Sequence, residues 1–267
     1  MNHFLVVRED LGLPLKVMLG ILPILFLLGL WWLLTAGDTE NRVISPLILP
    51  SPVEVVKQIP ALWFQAELSR SLIASALRVI GGFLVAVVIV FPLGVLMGSF
   101  TKVRAIFDPL MIFGAYLPIP TLVPLTMSLF GIGETQKVMF LAIAFIVFLL
   151  PMFVKAIGEV DDIYLQTAQT LGASKWQLVR HVLVGISMPK LYQALRLGFG
   201  IGWTYIILAE MVAAERGLGE IIIIAQRRGP REFIYLVLVV IVIVAYITDK
   251  IWMWFGRLLF PYCKNER

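Results

Sequence analysis

Six stretches of this chain are apolar almost without interruption: 15–34, 71–98, 109–130, 138–157, 191–213 and 233–255. Each has the roughly 20 residues that a membrane-spanning helix requires. Polar residues gather in the short connections between them, and one longer polar segment, 159–190, separates the fourth stretch from the fifth. The pattern predicts an all-α integral membrane protein with about six transmembrane helices, forming one domain over residues 1–267. The first stretch is too long for the apolar core of a secretory leader, and no small-x-small cleavage site follows Leu33, Leu34 and Thr35. It reads as a retained helix.

Interruptions within the pattern carry further information. Pro46, Pro50 and Pro52 forbid a helix interior after the first stretch, and Val53 to Leu62 then suits a short helix at the outer surface. In the third stretch Pro118, Pro120 and Pro124 cannot share one regular helix without loss of backbone hydrogen bonds. Broken backbone persists in a membrane only inside protein or beside a water-filled cavity, so this segment is expected to line a translocation path or a tight interface; the simpler alternative is a kinked packing helix. Gly94 with Gly98, and Gly198 with Gly202, set small residues at helical spacing. They let helix backbones approach closely, either within one subunit or between two copies. No self-similar repeat suggests the paired halves of a secondary transporter.

Composition agrees with lipid as the solvent: 60% of residues are apolar, 15% are charged, and the mean hydropathy is +0.94. The net charge of +5 comes from basic residues scattered among loops, with no basic stripe interleaved with aromatics, which argues against a nucleic-acid partner. With both ends on one side, eleven Lys and Arg fall on that side and eight on the other, while Arg78, Arg196 and Lys250 lie within stretches. This bias predicts a multi-pass protein of the inner (plasma) membrane with both termini cytoplasmic. The single cysteine, Cys263, excludes a disulfide within the chain.

No catalytic constellation is present. His3 and His181 stand apart, and there is no H-E-x-x-H, cysteine cluster, G-x-S-x-G elbow or G-x-x-x-x-G-K-[ST] phosphate loop. The chain is expected to be no enzyme and to bind no metal or cofactor itself. If ATP drives its action, another polypeptide must hold the nucleotide.

The 159–190 segment is helix-compatible on both sides of Gly172. It predicts a short helix, a glycine turn and a second helix whose Trp176, Val179 and Leu183 form an apolar face. Such an element docks into a partner's groove. Alternatively, it lies flat in the headgroup region with Trp176 as anchor and Lys175 and Arg180 on lipid phosphates.

This segment resembles the cytoplasmic coupling motif of ABC-importer permeases, written E-A-A, three residues, G, nine residues, I-x-L-P. The motif falls on Gln166, Thr167, Ala168, Gly172, Val182, Val184 and Gly185. Ala168 and Gly172 match, whereas Gln166 and Thr167 replace Glu-Ala, and proline arrives late, as Pro189. Further segments, Leu49-Pro-Ser-Pro-Val-Glu-Val, Pro118-Ile-Pro, Phe130-Gly-Ile-Gly-Glu, Leu171-Gly-Ala-Ser-Lys-Trp-Gln-Leu, Ala209-Glu-Met and Arg216-Gly-Leu-Gly, resemble in order the permeases of the nitrate, sulfonate, taurine and bicarbonate importer group. The resemblance implies a type I importer (MetI-like) architecture. It implies as partners a second permease copy, cytoplasmic ATPase subunits that carry ATP and Mg, and an external solute-binding protein. Gln166, Thr167, Ala168, Leu171, Gly172, Ala173, Ser174 and Trp176 would then form the ATPase-coupling site. The solute implied is a small oxyanion or sulfonate.

Charged residues complete the expected sites. Arg216, Arg227, Arg228 and Arg231 form a basic cluster on the outer side, able to concentrate anions or to meet lipid phosphates or carboxylates of the binding protein. Arg78, Arg196 and Glu210 lie within stretches and join Pro118 and Pro120 as candidates for the path. Charges in lipid face a cavity or a partner, so Arg78 and Arg196 either hold an anion or pair with Glu210 or Asp249. The competing class is an ATP-independent channel or secondary transporter for a small anion, which predicts a one-sign pore or matching broken helices in two halves.

Overall fold

A computed structural model describes residues 12–37, 42, 44–46, 48–212 and 215–263. Both termini, and the end of the fifth stretch at Ala213, lie outside the described residues. All regular elements among the described residues are helical. The long helices are α1 (Leu13–Leu34), then α4 (Leu68–Ser99) after two short turns of helix, α2 (Pro52–Lys57) and α3 (Ile59–Phe64). There follow α5 (Thr101–Ala115), α6 (Leu122–Phe130), α7 (Glu134–Gly158), α8 (Asp162–Thr170) and α9 (Lys175–Gln177). The chain closes with α10 (Val184–Glu210), α11 (Leu218–Arg227) and α12 (Glu232–Leu259).

Where the chain leaves α1, the surface helix expected over 53–62 is two helices. Ser51 caps the first in a reciprocal box with Glu54, and Pro60 begins the second, where a missing N–H costs nothing. Arg42 donates to both Glu54 oxygens, at 2.8 and 3.1 Å, and so ties the approach segment to α2. That bond, helped by the Ser51 N–H, holds the Glu54 carboxyl down at about 2. Because the pKa is depressed, the link is complete above the ordinary carboxylate range and is lost only as pH falls toward about 2.

Helix α7 is the centre of the bundle, with Phe140, Phe145 and Phe153 fully buried. Lipid tails are as apolar as these side chains, so helices associate through close packing rather than through exclusion of water. Glycines make that packing possible. A Cβ on Gly94 would stand 2.7 Å from the Phe153 Cβ, and one on Gly202 would overlap the Phe145 ring. The two small-residue pairs therefore pack helices within one chain: Gly94 and Gly98 seat α4 on α7, while Gly198 and Gly202 seat α10 on α7.

These contacts also fix direction. Gly82, Gly94 and Gly98 meet Leu141, Phe153 and Ile157 in ascending order, so α4 and α7 are parallel. The chain must therefore return between Ser99 and Glu134, and α5 with α6 makes that return. The break expected from the prolines of the 109–130 stretch falls here: α5 begins earlier than that stretch, at Thr101, and the segment beginning at Ile119 departs from it at 90°. Pro118 is extended at the bend and Pro120 opens a 3₁₀ turn, because neither proline can donate the bonds that would continue α5.

Four helices, α1, α4, α7 and α12, are long and apolar enough to cross a membrane, or five passes with the bent pair counted as one. Helix α10 adds a 27-residue element antiparallel to α7, less apolar because it carries Gln193 and Arg196.

Candidate functional site

At one end of the bundle, where α4 and α7 start and α10 stops, lies a buried polar knot. Arg78 is 6% exposed and Glu210 1%. The Arg78 Nη1 donates to Glu210 Oε1 at 2.7 Å and to the Arg216 carbonyl at 2.6 Å, while Nε and Nη2 each donate to Glu134 at 2.6 Å. Lys137 adds a second cation against Glu134, at 3.2 Å. Ser75, one turn before Arg78 on α4, donates to the Glu210 carboxylate at 2.7 Å and accepts the Leu218 N–H at 3.0 Å. The Gly219 N–H completes the shell of Glu210 at 2.9 Å. Two cations face two carboxylates at hydrogen-bonding distance, which is the condition for holding charge in a medium of low polarity.

This knot explains the Arg216-Gly-Leu-Gly pattern. Gly217 has φ +147°, and a Cβ on Gly217 or Gly219 would collide with Glu210. Only glycine lets the chain fold back over the carboxylate and launch α11, whose Leu218, Ile221, Ile222 and Ala225 are buried.

The other notable region is the connection between α7 and α10. Asp161 caps α8 through the Ile163 N–H, and the helix closes with Gly172 N–H to Gln169 and Ala173 N–H to Ala168. Gly172 takes φ +82° with open space around its Cα, so backbone conformation rather than crowding selects glycine. Ser174 caps α9 in a second reciprocal box, with Gln177. A π-helical turn over Leu178–Leu183 then joins α9 to α10.

Glu159 at the base accepts from Lys190 at 2.8 Å and lies 3.7 Å from Lys155, and the Lys190 bond foremost keeps its carboxyl below the usual range. The region is thus a stiff bracket whose outer face is apolar: Leu171 is 83% exposed and Trp176 68%, with Ile163 and Tyr164 also exposed. The apolar face expected across Trp176, Val179 and Leu183 is divided. Val179 and Leu183 are buried, and the wider π turn rotates them out of register with Trp176, whose ring lies edge-on to Phe100 at 6.3 Å.

Gln166, Thr167 and Ala168 on α8 and Leu171, Gly172, Ala173, Ser174 and Trp176 beyond it therefore form one continuous element. The residues expected along the path are dispersed. Arg78 and Glu210 meet in the knot. Arg196 pairs with Asp249 of α12 at 2.6 and 2.9 Å, about 20 Å along α10 from Glu210. Pro118 and Pro120 stand at the α5–α6 bend. Of the basic cluster, Arg216 lies beside the knot, while Arg227, Arg228 and Arg231 are exposed around the end of α11. Sequence reasoning missed Ser75, Glu134 and Lys137 as members of the knot. The available signal was Glu134 three residues before a lysine at the start of an apolar run, the pattern of an acidic helix N-terminus.

Residues 90–261 match the family described as binding-protein-dependent transport system inner membrane component. The chain belongs to this family. Among its relatives, the taurine transport system permease protein TauC of Escherichia coli (strain K12) is 32% identical over 241 residues, covering 88% of this chain and 86% of that protein. The nitrate import permease protein NrtB of Synechocystis sp. is 29% identical, covering 92% and 90%. In fold, the chain is similar to a chain of the MetNI methionine ABC transporter in an inward-facing conformation, with a TM-score of 0.66 over 75% of this chain and 98% of that one, at 22% identity. This family membership makes the protein a multi-pass membrane permease subunit of an ABC importer, with a MetI-type helical fold.

Proposed function

We propose that this chain forms the translocation path for a small oxyanion or sulfonate and is driven by cytoplasmic ATPase subunits through the bracket over 162–177. The exposed apolar face of Ile163, Tyr164, Leu171 and Trp176 on a doubly capped, ion-paired bracket is the observation that carries this reading. An isolated amphipathic helix in the headgroup layer does not need such stiffness; a lever does. The bracket transmits force because α10 grows directly out of it and α10 is seated on α7 by glycine contacts.

In this reading the bracket end is cytoplasmic and the knot end faces outward, where a binding protein delivers solute to a pair of permease copies. Taurine and nitrate, for which these relatives are named, fit a path with basic residues at its outer end. Arg227 and Arg228 raise the local anion concentration there, and ATP and Mg act on the partner subunits. The test is uptake into liposomes holding the importer with its ATPase and binding protein. Uptake is expected to need ATP inside, and Arg227→Gln with Arg228→Gln is expected to weaken it more at low salt than at high salt, since exposed charges are screened over about 8 Å at physiological ionic strength. Equal loss at both salts counts against steering. Uptake without ATP restores the channel or secondary-transporter reading.

A further inference from the structure

Lys250 is a charge inside the last apolar stretch that neither the knot nor the bracket uses. It stands on α12, about 14 Å along the axis from the end of that helix at Leu259. One face of α12 is seated on α10. Tyr192 donates to the Trp252 carbonyl at 2.6 Å, a Cβ on Gly256 would meet the Tyr192 ring, and Asp249 takes Arg196. The order of these contacts sets α12 antiparallel to α10, so the C-terminal end of α12 lies on the bracket side.

At about 100° per residue, Tyr246, Lys250, Trp254 and Arg257 fall within an arc of about 80° on another face of α12. All four are exposed, and the Lys250 ammonium lies 5.0 Å from the centre of the Tyr246 ring. Between residues 246 and 263 the one carboxylate is Asp249, and each of its oxygens already accepts from Arg196. Neither Lys250 nor Arg257 forms a salt bridge to a described residue. An ammonium inside an apolar span needs an anion or a route to the interface. The lysine stem supplies the route, since it lies along apolar surface while its head reaches the headgroup layer. Arg257 stands about 10 Å further toward that layer, so both cations can meet one headgroup phosphate. Trp254 between them is the residue type that sits at this depth. Exposed Ile243 and Ile247 continue the same face deeper into the membrane.

We infer that this face binds an anionic phospholipid of the leaflet on the bracket side, with its phosphate between Lys250 and Arg257, its ester region on Trp254 and one acyl chain along Ile243 and Ile247. Two cations without a carboxylate of their own favour a headgroup of net negative charge. A zwitterionic headgroup would bring its own cation against Lys250 and Arg257. Lipid retention involves neither solute nor ATP, so its outcome is separate from the importer reading.

The experiment is native mass spectrometry of the complete importer released from nanodiscs of phosphatidylcholine and phosphatidylglycerol in equal parts. Wild type is expected to retain phosphatidylglycerol in preference to phosphatidylcholine. Lys250→Gln and Arg257→Gln are each expected to lower that preference about fivefold, the weight of one basic residue near an anionic surface. Lys250→Arg and Arg257→Lys keep the charge and are expected to keep most of the preference. Equal retention of the two lipids by wild type, or an unchanged preference when both cations are replaced by glutamine, would overturn the inference. So would disulfide cross-linking of two permease copies through Lys250→Cys in a Cys263→Ser chain, which would place this face at a seam between subunits instead of against lipid.

Discussion

Replacement of Gly172 by valine is expected to abolish the stimulation of ATP hydrolysis by substrate-loaded binding protein while leaving membrane insertion intact. Nothing stands within 4 Å of a Cβ at this position, so the substitution meets no clash. Its effect comes from φ +82°, which a β-branched residue adopts only at a penalty of roughly 1–2 kcal/mol or more. The turn between α8 and α9 then opens, and Leu171 and Trp176 no longer share one face. Asparagine tolerates the left-handed region, so Gly172→Asn is expected to keep a substantial part of the stimulation. Normal stimulated hydrolysis in the valine variant would sink the coupling role of the bracket.

The other large effect is expected in the knot. Arg78→Ala leaves Glu210 buried and Glu134 without its bidentate partner, and breaking one side of a buried ion pair destabilises by about 3–5 kcal/mol. The same change frees the Arg216 carbonyl, so the segment leading into α11 loses one of its ties to α4, leaving the bond from the Leu218 N–H to Ser75. The expected result is a steep loss of folded protein in detergent, read by size-exclusion yield and thermal aggregation. Adding Glu210→Gln to Arg78→Ala removes the unpaired buried charge and is expected to recover part of that yield, because the glutamine still accepts the Ser75 O–H and the Gly219 N–H. An Arg78→Ala protein as stable as wild type would show that the knot is ornamental.

The spans were legible because lipid imposes a single demand, about 20 apolar residues whose backbone is satisfied within the helix, and α1, α4, α7 and α12 meet it openly. The turn at Gly172 was legible for a similar reason: a glycine between two helix-compatible segments has few other uses. Helix α5 was misplaced at its start because Lys102, Arg104 and Asp108 dilute its apolar signal, although the helix there is supported by its packing on α4 and α7. Helix α11 escaped because ten residues are too few for a span and its register of buried positions depends on a fold-back around Glu210. The knot was half visible. Arg78 and Glu210 stand out as charges inside apolar runs, whereas Glu134 precedes its run and Ser75 is an ordinary small residue in one. That Arg78 meets Glu210 and Arg196 meets Asp249, rather than the reverse, follows from the antiparallel courses of α4 against α10 and of α10 against α12, which no local pattern encodes.

Co-expression of this chain with its ATPase partner, followed by purification in detergent and assay of ATP hydrolysis, tests most directly whether the bracket makes this permease part of an ATP-driven machine. The expected result is a stable complex that hydrolyses ATP faster when loaded binding protein is added. A chain that purifies alone and transports its solute in liposomes without ATP would contradict it.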